Sequence, residues 1–316
     1  TVDLTGAAVD GAGLNLTINA NATNVALDNV GQNAAIGILD VNATGTTTLT
    51  GNITTANANV AFDGATNVVL GADLTIATGA GAGNIDFAAA GGTNSLSGNF
   101  DLTLTAGTGS VELDNGTGLA SVNVTSSSTS DVAGNFGVIG DVTITADDTV
   151  SVDAAGSVNA GGIITLTANS AAGAASVDVD GELTAVGNIT LDADSADNNA
   201  TVDVDAAIAS DGALTLSADT TAAGNAATVD VDGALSSNNN ILATSDDTIS
   251  LDADVSVNGV STITLTADGD NDNVGDVNIA QAAASTVRGE DGDVTLTGEN
   301  VLLGSGAGTG LIQTTG

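Results

Sequence analysis

Nearly every side chain able to do chemistry in this 316-residue chain is a carboxylate. Thirty-nine Asp and Glu stand against one basic residue, Arg288, with no His, Cys, Tyr, Trp, Met or Pro. The acids recur at a fixed spacing. Val177-Asp178-Val179-Asp180, Val202-Asp203-Val204-Asp205 and Val229-Asp230-Val231-Asp232 repeat one pattern, with looser copies at Ile249-Ser250-Leu251-Asp252, Val150-Ser151-Val152-Asp153 and Val111-Glu112-Leu113-Asp114. If these segments align as neighbouring strands, Asp153, Asp180, Asp205, Asp232 and Asp252 form one outward column, and Asp178, Asp203 and Asp230 form the next. Like charges at the ~4.8 Å spacing of adjacent strands repel by about 1 kcal/mol in water, and by more against a protein surface. Salt screening offsets that repulsion nonspecifically. Calcium, a hard ion that takes six to eight oxygen ligands, offsets it specifically and is the cofactor this pattern admits.

Corner segments add carboxylates. Asp268, Asp270, Asp272 and Asp276 alternate through a Gly/Asn-rich turn similar to the opening of an EF-hand loop, although the sixth position is Asn273 rather than Gly and no Glu closes it. Asp192, Asp194 and Asp197 alternate less regularly. Catalysis is not expected of these acids. Polysaccharide-cleaving solenoids need a base or charge stabiliser beside the carboxylates, and Arg288 alone is available for that role. Paired carboxylates such as Asp178 and Asp180 could hydrolyse a glycoside, but they sit in a repetitive pattern with no Trp or Tyr to hold a sugar. A net charge of -38 excludes a phosphate-binding surface and disfavours anionic membranes. No apolar run is long enough to span a bilayer.

The elements that position these acids are strands. An apolar-Thr-apolar core occurs at Leu16-Thr17-Ile18, Thr48-Leu49-Thr50, Leu74-Thr75-Ile76, Leu102-Thr103-Leu104, Val122-Asn123-Val124 and Val142-Thr143-Ile144. It continues at Ile164-Thr165-Leu166, Ile189-Thr190-Leu191, Leu214-Thr215-Leu216, Ile241-Leu242-Ala243, Ile263-Thr264-Leu265 and Val294-Thr295-Leu296. These twelve copies lie 20 to 32 residues apart, as turns of a coil with variable corners would. A second alternating segment follows each core, and a third apolar point closes the unit at Val158, Leu183, Ile208, Leu235, Val255 and Val287.

Three strands per turn predict an all-β, right-handed parallel β-helix, a triangular solenoid of about 12 coils forming one continuous body over residues 1–316. Alternate residues point inward, so Val, Ile and Leu stack as ladders while Thr and Asp face water. The absence of Pro fits strands paired on both sides. Immunoglobulin-like sandwiches are the rival architecture, but they repeat at around 100 residues with a buried aromatic, whereas Phe62, Phe87, Phe100 and Phe136 cluster in one region.

Gly187-Asn188-Ile189-Thr190-Leu191 and Gly140-Asp141-Val142-Thr143-Ile144-Thr145, each followed by a Val-rich strand, resemble filamentous haemagglutinin-type repeats. The resemblance spans nearly the whole chain and implies a secreted or cell-surface fibre, often adhesive and often one section of a very large protein. The Asn-Pro secretion motifs of that family have no counterpart in a chain without proline.

The expected function is therefore structural: an extracellular β-solenoid subunit that assembles end to end. Alternatives are a shaft segment of a large secreted adhesin, a calcium-binding surface-layer protein, and, on the outward pairs Thr143/Thr145, Thr165/Thr167, Thr264/Thr266 and Thr295/Thr297, an ice-binding protein. Expected partners are further copies of itself, neighbouring coils of a longer chain, or host and matrix glycans and proteins. Nucleic acid and membrane insertion are not expected. The chain opens on Thr1 without Met or an apolar leader, which reads as a processed protein or a section of a longer one. With no polar or helical cap in the pattern, the coil phase is expected to run from a second-type strand at the start to a third-type strand at Gly310-Leu311-Ile312-Gln313, so that a new first strand could follow in register.

Overall fold

The computed structural model describes all residues except 7, 21–22, 65–66, 88–94, 223, 270–274, 280–284, 305–309 and 315–316. Among the described residues there is no helix. The chain is all-β, with strands in three parallel sheets wound as a β-solenoid of about 11 turns. It divides into two compact units, Thr1–Ala146 with Ala155–Asn159, and Asp147–Ala154 with Ala160–Gly316.

In the second unit the three sides follow in the expected order. First-side strands Ile164–Ser170, Ile189–Ser195, Leu214–Thr220, Ile241–Ser245, Ile263–Thr266 and Val294–Thr297 pair in parallel, one per turn. The second side runs through Thr149–Val152, Ala175–Val179, Ala200–Val204, Ala227–Val231, Thr248–Leu251, Asp276–Ile279 and Asn300–Leu303. The third runs through Glu182–Ala185, Ile208–Ser210, Leu235–Ser237, Val255–Val257, Ser285–Gly289 and Gly310–Thr314.

Period-2 alternation produces the core. Val177, Val202, Val229, Ile249 and Val277 stack one above another on the second side, each without measurable exposure. β-Branched and Leu side chains suit this pleated, fully buried surface. Each turn covers the apolar face of the last, so the ladder stabilises itself turn by turn.

The first unit is less regular. Its first side contains Ile53–Thr54, Leu74–Ala77, Asp101–Thr105, Ser121–Ser126 and Val142–Ala146, prolonged by single bridges between Val9, Val30 and Ile53. Two apolar-Thr-apolar copies are not on this side. Leu16-Thr17-Ile18 belongs to a second-side strand paired with Leu39–Ala43, and Thr48-Leu49 to a third-side strand paired with Val25–Leu27. The tripeptide satisfies any strand with one face inward, so it does not specify a side. The large core residues of this unit include Phe62 and Phe87, stacked with ring centroids 5.1 Å apart. Phe136 fills the space beneath Gly116, where an added Cβ would lie 2.4 Å from the ring.

Strand Val2–Leu4 pairs with Val25–Leu27 on the third side, and Gly310–Thr314 is a third-side strand as well. The expected phase, from a second-type to a third-type strand, is therefore corrected: both terminal strands are third-type. The opening Val-Asp-Leu has the same alternation as a second-side strand, and only its pairing partner reveals its side.

Candidate functional site

The second side of the second unit carries the acidic columns. Asp178 pairs with Asp203, and Asp203 with Asp230, in direct register. The column is bounded by Ser151 on one flank and Ser250 on the other. Asp180, Asp205, Asp232 and Asp252 follow their strands at equivalent places, their N–H groups donating to the carbonyls of Val152, Val179, Val204 and Val231 at 2.8–3.0 Å. Strand alternation turns Asp178, Asp203 and Asp230 outward between two buried valines, which leaves them half-buried. Burial is the largest cause raising the Asp203 pKa to about 6, followed by repulsion from Asp205, Asp230, Asp178 and Asp232. Burial and then neighbouring carboxylates also raise Asp178 and Asp232 above the ordinary aspartate value.

Of the corner loop, Asp270 and Asp272 lie outside the described residues. Asp268 adopts a left-handed φ of 66°, and Asp276 opens a strand and accepts a 2.8 Å hydrogen bond from Asn300 Nδ2.

Among the described residues, the acids whose oxygens converge most closely are on the first side. Asp192, Asp194 and Asp219 each offer an oxygen within 4.8 Å of the other two. Strands Ile189–Ser195 and Leu214–Thr220 bring them together by pairing Asp192 with Ser217 and Asp194 with Asp219. Ser217 Oγ donates to Asp219 Oδ2 at 3.0 Å and accepts from Thr244 Oγ1 at 3.2 Å. Burial, then Asp194 and Asp219, pushes Asp192 up to about 6, opposed by a hydrogen bond from Ser217. Asp194 is raised by burial and by Asp219. Beside them an open depression of about 310 Å³ is lined by Asn169, Asp194, Ser195, Ala196, Asp219 and Thr221. Sequence reasoning singled out Asp192 and Asp194 but missed Asp219. The signal was present: Leu191-Asp192-Ala193-Asp194 and Leu216-Ser217-Ala218-Asp219 are in-phase copies one turn apart.

The chemistry open to this donor set is cation coordination. Three carboxylates and a hydroxyl are hard oxygen ligands of the kind calcium takes. The outward Thr columns are also in register, Thr165 with Thr190 and Thr215, and Thr264 with Thr295. Leu242 interrupts that column and Asp192 the neighbouring one, so the first side is not a uniform hydroxyl array.

Fold and site together define a three-sided parallel β-solenoid with acidic outward columns. No family model, curated protein or solved structure matches the chain.

Proposed function

We propose that the protein is a non-catalytic, extracellular structural solenoid that lengthens by adding turns at its open edge. The observation that carries this reading is the state of the last described turn. Val294–Thr297, Asn300–Leu303 and Gly310–Thr314 pair on one flank only. Val301 and Leu303, which continue the ladders of the fully buried Val277 and Ile279, are 41% and 49% exposed. Unpaired strand edges above exposed apolar ladder ends are a template for another parallel strand, whether a second copy or further turns of a longer chain supply it. Contact between unlike ends gives an open filament rather than a closed ring. The extracellular placement is supported by the resemblance to haemagglutinin-type repeats.

A second copy fits this edge in phase only if its own Val2–Leu4 gives way. Direct pairing of Gly310–Thr314 with a partner's Val2–Leu4 would join two third-type strands and omit a first and a second strand between them. If Gly310–Thr314 instead takes the place of the partner's Val2–Leu4 against Val25–Leu27, all three sides continue. Electron microscopy and sedimentation velocity test this. The expected result is fibres, forming faster after deletion of residues 1–8. A stable dispersed monomer, with or without those residues, rejects self-assembly and leaves the shaft of a longer adhesin as the reading.

Divalent cation binding is the second reading, favoured by the convergence of Asp192, Asp194 and Asp219. Calcium chloride is expected to raise the melting temperature more than sodium chloride at matched ionic strength, and Asp219→Asn to remove the difference. Equal effects of the two salts would reduce the acids to a screened surface.

A further inference from the structure

The chain contains two Asn-Gly dipeptides, Asn115-Gly116 and Asn258-Gly259, and the fold places them in opposite situations. Asn258-Gly259 follows strand Val255–Val257 at an exposed corner. Gly259 has a left-handed φ of 67° with open space where a Cβ would point, and the adjacent Val260 is 82% exposed. The Gly259 N–H donates to Glu290 Oε2 at 3.0 Å, and the Asp291 N–H donates to the Gly259 carbonyl at 2.9 Å. The Asn258 side-chain amide donates through Nδ2 to Asn238 Oδ1. By contrast, Gly116 is a buried residue inside strand Asn115–Leu119, paired with Leu96 on one flank and Phe136 on the other, with the Phe136 ring against it. Asn115 Oδ1 accepts the Asn135 N–H at 3.0 Å.

An asparagine loses its side-chain amide spontaneously when the backbone nitrogen of the next residue attacks its Cγ. Glycine in that next position permits the approach because no side chain obstructs it. The nitrogen is a poor nucleophile until its proton is drawn off, and a carboxylate within hydrogen-bond reach is the group that can take it. Glu290 already holds that proton's hydrogen bond.

We propose that Asn258 is a built-in deamidation site at which Glu290 serves as the general base. The Gly259 nitrogen forms a bond to Asn258 Cγ as its proton passes to Glu290. The bond from Cγ to Nδ2 then breaks, and ammonia leaves carrying the returned proton. The product is a five-membered succinimide. Solvent water adds across either ring carbonyl and opens it to aspartate or isoaspartate, so the net change is water consumed and ammonia released. Either product places a new carboxylate beside Glu290. Isoaspartate also lengthens the backbone at the corner that the Asp291-to-Gly259 bond holds to the next turn. The corner therefore loosens irreversibly with time.

Peptide mapping by mass spectrometry after timed incubation of the full chain at neutral pH tests the proposal, with isoaspartate identified by enzymatic methylation. The expected result is steady conversion at Asn258, isoaspartate among its products, and retention of the amide at Asn115 in the same sample. Glu290→Gln is expected to slow conversion at Asn258 severalfold, with an unchanged circular dichroism spectrum. In denaturant the two asparagines should convert at similar rates and the Glu290→Gln effect should vanish. Conversion at Asn115 keeping pace with Asn258 in the folded chain would overturn the site. Conversion in Glu290→Gln at or above the parent rate would overturn the role of Glu290.

Discussion

The melting temperature is expected to rise as the pH is lowered from about 7 to about 5, the reverse of a protein whose acids are salt-bridged. Asp192 and Asp203 have pKa values pushed to about 6, and Asp178, Asp194 and Asp232 are raised by burial and then by neighbouring carboxylates. In the unfolded chain each returns to about 3.9. Between those limits the folded state binds more protons than the unfolded one, so stability falls as pH rises through the window and returns as these carboxylates are neutralised. Asp3 and Asp10 act in the opposite sense. A hydrogen bond from Thr5 holds Asp3 low and hydrogen bonds from Asn33 hold Asp10 low. Their contribution is present above the ordinary aspartate value and is lost only as pH falls through their depressed pKa values. The stability maximum is accordingly expected in the acidic range, just above the unfolded aspartate pKa. Thermal melts at fixed ionic strength measure this, with Asp203→Asn expected to raise the melting temperature at neutral pH and to flatten the slope. A melting temperature that is flat or falls on acidification rejects the account.

Gly233→Ala is expected to destabilise the second unit by about 3 kcal/mol or more, an overpacking effect at a site with no freedom to relax. A Cβ at Gly233 would lie 1.9 Å from the Ala206 oxygen, 2.4 Å from its carbonyl carbon and 2.8 Å from its nitrogen. All three are backbone atoms of the preceding turn, so no rotamer change relieves the overlap. The Gly233 N–H also donates to the Val204 carbonyl at 2.8 Å, which holds the corner against its neighbour. Gly259→Ala provides the contrast. There the space is open and only the left-handed φ resists substitution, so a cost of about 1 kcal/mol is expected. Chemical denaturation of both variants measures the difference. Equal costs would mean that close approach of turns is not what requires glycine at residue 233.

Strand alternation and the Asp178, Asp203 and Asp230 column were legible because both rest on short-range regularity. A strand turns successive side chains to opposite faces, so Val-Asp-Val-Asp declares which residue is inward without reference to the rest of the chain. Where the same segment recurs intact, as Val177-Asp178-Val179-Asp180 does at Val202-Asp203-Val204-Asp205, the repeat also declares the register. Unequal corners remove that guide. Leu16-Thr17-Ile18 and Thr48-Leu49-Thr50 carry the first-side signature but lie on the second and third sides, and Val2–Leu4 proved to be third-type.

By itself, then, the sequence determined a parallel, three-sided coil with an aliphatic interior and acidic exterior, because inward and outward are decided by adjacent residues and burial of the Val, Ile and Leu face admits no other period. Only the tertiary structure decided which carboxylates meet and that Glu290 rests on the nitrogen of Gly259. Asp194 and Asp219 are 25 residues apart along the chain and Gly259 and Glu290 are 31 apart. Separations of that size become contacts only when the lengths of every intervening corner bring one turn onto the next, and corner length is a property that strand alternation does not encode.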